Sequence, residues 1–146
     1  AEPLVLVATP EVLAKTSELP AGPVLLPEKG TGIRRTLEQA AAGAAAPLLA
    51  QPHVDHFHSL EALKLAALNG LGCALLPRVF VQREILEGKL EACSLETDGS
   101  PLSLPYAFVW RRERQLPAGY PRLIEHALRC TQPLPVGRVS RDQVVS

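Results

Sequence analysis

Residues 59–77 read Ser59-Leu-Glu-Ala-Leu-Lys-Leu-Ala-Ala-Leu-Asn-Gly-Leu-Gly-Cys-Ala-Leu-Leu-Pro77, and they hold a helix start, a helix, a helix stop and a strand in that order. Residues 60–69 are strong helix formers, and helical spacing puts Leu60, Leu63, Ala67 and Leu71 on one face. Ser59 is the natural N-cap, because its hydroxyl can accept an amide N–H of the first turn, and Gly70 follows the helix where a left-handed residue is favoured. Cys73 to Leu76 is a short apolar run stopped by Pro77, which reads as a buried strand.

The same alternation extends outward in both directions. Pro3 to Ala8 reads as a strand ending in the turn Thr9-Pro10, residues 10–22 as a short helix with a loop, and Pro23 to Leu26 as a strand stopped by Pro27. Glu28-Lys-Gly-Thr-Gly32 is a glycine loop before a helix from Ile33 to Ala42. Residues 44–52 are small and apolar with two prolines and read as a loop; His53 to Phe57 reads as a strand. Beyond Pro77 the pattern predicts a helix from Val79 to Glu87, a turn and strand over 88–95, a long strand from Leu102 to Arg111, an amphipathic helix from Pro121 to Cys130, and a tail from Thr131. Strands alternating with helices indicate an α/β architecture with a mostly parallel sheet.

Composition excludes several classes. The 146 residues, 47% of them hydrophobic and 21% charged, are enough for a packed core. Fifteen basic against fifteen acidic residues leave no positive excess for gripping phosphates, so this chain is not expected to bind nucleic acid itself. Cys73, Cys93 and Cys130 are odd in number and form no CxxC pair; they read as thiols in a reducing cytoplasm. No apolar run approaches the roughly 18 residues of a membrane span, and no signal peptide heads the chain. With no Met at position 1, the expectation is a start cut within a larger protein.

The ordered series Ser59, helix, Gly70-x-Gly72, apolar strand and Pro77 resembles the effector-binding domain of LysR-type transcriptional regulators. The likeness continues through Leu86-Glu-Gly88-Lys-Leu90, one residue shorter between Leu and Gly than the family pattern, and through Tyr106-Ala-Phe-Val-Trp-Arg-Arg112, Leu116-Pro117 and the helix Leu123 to Leu128. Upstream, Glu2 to Val7 resembles the strand leaving the first lobe, and Gly30-Thr-Gly32 the loop opening the second lobe's first helix. The resemblance implies two Rossmann-like lobes of the type 2 periplasmic-binding-protein kind, the second complete and the first partial. Residues 1–23 would be the later part of lobe I, 24–108 lobe II, 109–130 the return to lobe I, and 131–146 a C-terminal tail. It further implies a cytoplasmic regulator that binds a small metabolite in the cleft between lobes and works as a homodimer or tetramer, its effector domains paired side by side and antiparallel. DNA would be contacted only through a helix-turn-helix that this sequence lacks.

Physical chemistry points to the same place for a ligand. In an open parallel sheet, small molecules bind beyond the carboxyl ends of the strands, where helix N-termini present unpaired N–H groups. Two such corners are visible, Gly30-Thr31-Gly32 and His58-Ser59, with glycines that admit close approach and hydroxyls that hydrogen-bond. These five residues are the candidate ligand site, and the pairing favours a small anion, a carboxylate above all. The alternative for Thr31 and Ser59 is helix capping alone. Arg34 and Arg35 fall in the first helical turn, against the dipole preference, and read as a solvated face.

Catalysis and metal binding fit less well. Nothing like Gly-x-Ser-x-Gly surrounds Ser59, and the carboxylates are scattered, so no catalytic residue is assigned and no cofactor is implied. Residues 53–58, His-Val-Asp-His-Phe-His, look like a metal cluster, but on a strand His53 and Asp55 face away from His56 and His58 and split the donors two and two. The rival classes are therefore a solute-binding protein or enzyme on the same two-lobed fold, and a metal module. A helix-turn-helix encoded just upstream would decide for the regulator.

Overall fold

The computed structural model describes residues 1–15, 22–40, 46–50, 53–97, 99–109, 111 and 117–130, with backbone alone for 46, 47, 53–56 and 97. The described residues form two compact units, one of those within Glu2–Leu104 and a second of Ala1 with those from Pro105 onward.

The larger unit runs β1 (Glu2–Ala8), α1 (Pro10–Leu13), β2 (Val24–Pro27), α2 (Gly32–Gln39), α3 (Ala46–Ala50), β3 (His53–Phe57), α4 (Leu60–Leu68), β4 (Cys73–Pro77), α5 (Arg78–Leu86), β5 (Glu91–Ser94), β6 (Glu96–Thr97), β7 (Ser100–Pro101) and β8 (Ser103–Leu104). Its main sheet has the order β3-β2-β4-β1-β5, with β8 also on β1. Helical crossovers make β2 parallel to both β3 and β4. β1 lies antiparallel to β4, β5 and β8, so it alone runs against the other strands. One reversed strand near the middle is why the expected mostly parallel sheet has only two parallel pairings among the described residues.

Side chains alternate across this sheet with period two. Leu4, Leu6, Val24, Leu26, Cys73 and Leu75 join Val12, Ile33, Leu37 and Leu48 in one apolar cluster. Val5, Val7, Leu25, Ala74 and Leu76 join Leu63, Ala66, Ala67 and Val81 in another. Helices thus cover both faces, which explains why β1, β2 and β4 are continuous apolar runs rather than alternating ones.

Three expectations need correction. Residues 46–50 are helical where a loop was expected; Leu48 at 3% exposure gives that turn its reason to form. The long strand expected from Leu102 to Arg111 is only Ser103–Leu104, because Pro105 cannot donate to a ladder and Tyr106, Phe108 and Val109 are exposed beyond it. Leu71 lies past the Asn69 C-cap and is exposed, so α4 buries Leu63, Ala66 and Ala67 instead. The hairpin β6–β7 was not anticipated, although Asp98-Gly99 is a turn signal and Gly99 has φ 75°.

The smaller unit contributes α6 (Gly119–Cys130), which has the expected amphipathic pattern and no buried residue among those described. Tyr120, Leu123 and Leu128 are exposed on it.

Candidate functional site

The parallel strands β2 and β3 end at Pro27 and Phe57, and both residues line a small open pocket of about 220 Å³. Its other lining residues are Thr31, Gly32, Ile33, His58, Ser59, Leu60 and Leu104. The strand ends are tied by the Glu28 amide donating to the Phe57 carbonyl at 3.2 Å, which brings the loop before α2 beside the loop before α4. Two corners separated by almost thirty residues of sequence therefore open on one space.

Each corner is a helix N-terminus. Thr31 is the N-cap of α2: its Oγ1 accepts the Arg34 amide at 3.3 Å and donates to the Glu28 carbonyl at 3.0 Å. Ser59 is the N-cap of α4, its Oγ accepting the Ala62 amide at 3.1 Å. The helical ladders begin with Arg35 N–H to Thr31 and Leu63 N–H to Ser59, so the amides of Gly32, Ile33, Leu60 and Glu61 precede them. Those orphan donors, with the positive ends of two helix dipoles, favour negative charge at the pocket. Gly30, with φ 90°, shapes the turn but does not line the pocket, whereas Thr31, Gly32, His58 and Ser59 do.

His58 adds a feature that sequence spacing conceals. Its Nδ1 lies 2.7 Å from Glu28 Oε2 on the other loop, with both side chains substantially exposed. Glu28 was not among the sequence candidates; only the pairing of β2 with β3 makes it a neighbour of residue 58. The apolar liners Ile33, Phe57, Leu60 and Leu104 escaped sequence reasoning because they also read as core, and Leu104 arrives from β8, where its Cδ1 would stand 3.7 Å from a Cβ on Gly32.

Arg34 overturns its reading as part of a solvated face. It is only 4% exposed, its Nε donates to Glu38 Oε1 at 2.8 Å, and its Nη1 has no hydrogen-bond partner among the described residues. The i,i+4 carboxylate compensates part of the burial of this charge. Arg35 is exposed and reaches back to the Gly30 carbonyl at 3.5 Å. The side chains of His53 to His56, where a metal cluster was weighed, lie outside the described residues. Among the described residues no group of three His, Cys, Asp or Glu is arranged to hold a metal. No described helix is long and apolar enough to cross a membrane.

Comparison with known proteins adds a lineage to this geometry. No curated protein matches the chain. Among solved structures, the regulatory domain of CrgA, a LysR-type transcriptional regulator from Neisseria meningitidis, shares 29% identity over 62% of this chain and 46% of its own, with TM-score 0.46. The bromide-bound regulatory domain of HypT from Salmonella typhimurium shares 24% over 68% of this chain and 47% of its own, with TM-score 0.49. The effector domain of AmpR of Pseudomonas aeruginosa shares 22% over 62% of this chain and 44% of its own, with TM-score 0.41. The match thus spans less than half the length of each of these solved domains. Residues 1–131 match the family described as the LysR substrate binding domain, whose α/β fold is of the type 2 periplasmic-binding-protein kind. With nine-tenths of its length inside that match, the chain belongs to the LysR substrate-binding domain family.

Proposed function

We propose that this chain is the ligand-sensing part of a LysR-type bacterial transcriptional regulator and that it takes up a small anionic metabolite at the pocket between the starts of α2 and α4. The observation that carries the reading is the convergence of two capped helix N-termini, Thr31-Gly32 and Ser59-Leu60, on one open space at the carboxyl ends of two parallel strands. Such a site binds and releases, and membership of a regulatory family supports the reading of a sensor and not an enzyme. Sensing becomes regulation when the bound and free forms differ in a surface that a DNA-binding partner domain reads. DNA contact would fall to a helix-turn-helix outside this sequence, assembly to a homodimer or tetramer, and the compartment to the cytoplasm. Lobe boundaries near residues 24 and 108 belong to the same proposal.

Thermal-shift measurements with simple carboxylates against their neutral amides test the site. A ligand that binds only the folded chain raises its midpoint in proportion to ln(1 + [L]/Kd). Carboxylates should raise it and amides should not, and Ser59→Ala should reduce the response. Equal response to acid and amide, or none to any anion, would sink the anion site.

A further inference from the structure

The walls of the pocket specify more than the sign of a ligand's charge. Pro27, Ile33, Phe57, Leu60 and Leu104 present hydrocarbon to it. The polar side chains are fewer. Thr31 uses its hydroxyl oxygen and hydrogen on Arg34 and Glu28, so its donor is already engaged. Ser59 accepts from Ala62, its own hydrogen is given to no acceptor among the described residues, and His58 presents its ring.

No lysine or arginine lines the pocket among the described residues. Arg34 is buried beside Glu38, and Arg35 turns to the Gly30 carbonyl. Glu28 is not itself a lining residue, but its Oε2 lies 2.7 Å from Nδ1 of His58, which is. One carboxylate can be held by neutral N–H donors and helix dipoles. A second negative group would have to leave water without a lysine or arginine to receive it, beside a His58 ring whose Nδ1 is already engaged by Glu28.

Resting on the reading of this pocket as an anion site, we infer that its ligand is a monocarboxylate with a compact branched or aromatic hydrocarbon body, not a dicarboxylate, phosphate or sulfate, and that Glu28 is the residue that excludes a second charge. The volume of about 220 Å³ suits such a body and is below the range of drug-sized ligands. The carboxylate sits over the amides of Gly32, Ile33, Leu60 and Glu61, the Ser59 hydroxyl donates to it, and the body lies on Ile33, Phe57 and Leu104.

Isothermal titration of the chain with benzoate, isovalerate, succinate, sulfate and benzamide tests this. Benzoate or isovalerate should bind about tenfold or more tighter than succinate and sulfate, a difference of about 1.4 kcal/mol. Glu28→Gln should narrow the succinate-to-benzoate ratio by about threefold or more, as expected for removing one exposed charge near the ligand. A merely structural effect of that variant would weaken both ligands alike and leave the ratio unchanged, which overturns the role of Glu28. Succinate or sulfate binding as tightly as benzoate overturns the ligand class and leaves the anion site standing. Benzamide equal to benzoate, or no binding at all, overturns the anion site and this inference with it.

Discussion

Gly72 has φ 156°, and a Cβ there would collide with the Pro23 carbonyl oxygen, the same oxygen that accepts the Cys73 amide at 3.0 Å. The start of β4 is therefore pressed against the start of β2 at a point where no side chain fits. Gly72→Ala should lower stability by about 2–4 kcal/mol from backbone strain and displacement together, measurable by urea denaturation, whereas Gly88→Ala meets open space and should cost only its conformational strain, about 1 kcal/mol. A loss at residue 72 no larger than at residue 88 would show that the contact with Pro23 relaxes freely. The motif Gly70-x-Gly72 was legible in sequence, but its two glycines do different jobs: Gly70 ends a helix with φ 71°, and Gly72 admits a carbonyl. Sequence could show the first, because helix ends are local. It could not show the second, because Pro23 lies some fifty residues away. Glu28 was hidden for the same reason.

At the scale of elements, α4 and α5 are joined by a clamp that no periodicity reveals. Lys64 Nζ lies 3.2 Å from Glu84 and 3.4 Å from Glu61, and 4.7 Å from the centre of the Phe80 ring. Burial pushes the Lys64 ammonium down, but Glu84 and Glu61 outweigh it and leave its pKa above the ordinary value. The Glu84 carboxyl is held below its ordinary value by its own backbone amide and, against the effect of burial, by Lys64. Stabilisation from a depressed carboxylate is complete above its unfolded value of 4.5 and is lost as pH falls through the lower folded value; that from a raised ammonium is complete below 10.5 and is lost as pH rises through the higher folded value. A Lys64→Met, Glu84→Gln double-mutant cycle should give a coupling of about 1 kcal/mol at neutral pH that fades in strong acid. A coupling unchanged at pH 2 would assign it to packing on Phe80. Elements whose signals are local, such as β1, α4, β4 and α6, were legible in the sequence. Those that depend on what covers them were not: α3 forms because Leu48 finds a core, and the long strand after Leu102 stops because Pro105 cannot donate to a ladder and Tyr106, Phe108 and Val109 beyond it are exposed.

For the molecule as a whole, burial is uneven. The sheet of the larger unit holds Leu4, Val5, Val7, Val24, Ala74 and Leu76 at 2% exposure or less, whereas α6 buries none of its described residues. Amide exchange should rank accordingly, with β1, β2 and β4 exchanging last by global unfolding and α6 early by local opening. Hydrogen–deuterium exchange showing α6 protected as strongly as β4 would mean that it is covered in solution. The architecture was legible because buried runs and capped helices alternate along the chain. The direction of β1 was not, since hydrophobicity carries no arrow.

The pocket's two helices belong to different layers. α2 packs with Ile33 and Leu37 into the cluster on one face of the sheet, and α4 with Leu63 and Ala67 into the cluster on the other. A molecule held by both helix starts would rivet the two layers together around the edge of the sheet. Occupancy would then be felt as a change in how independently the two layers breathe, a mechanical message that travels without any strand having to move.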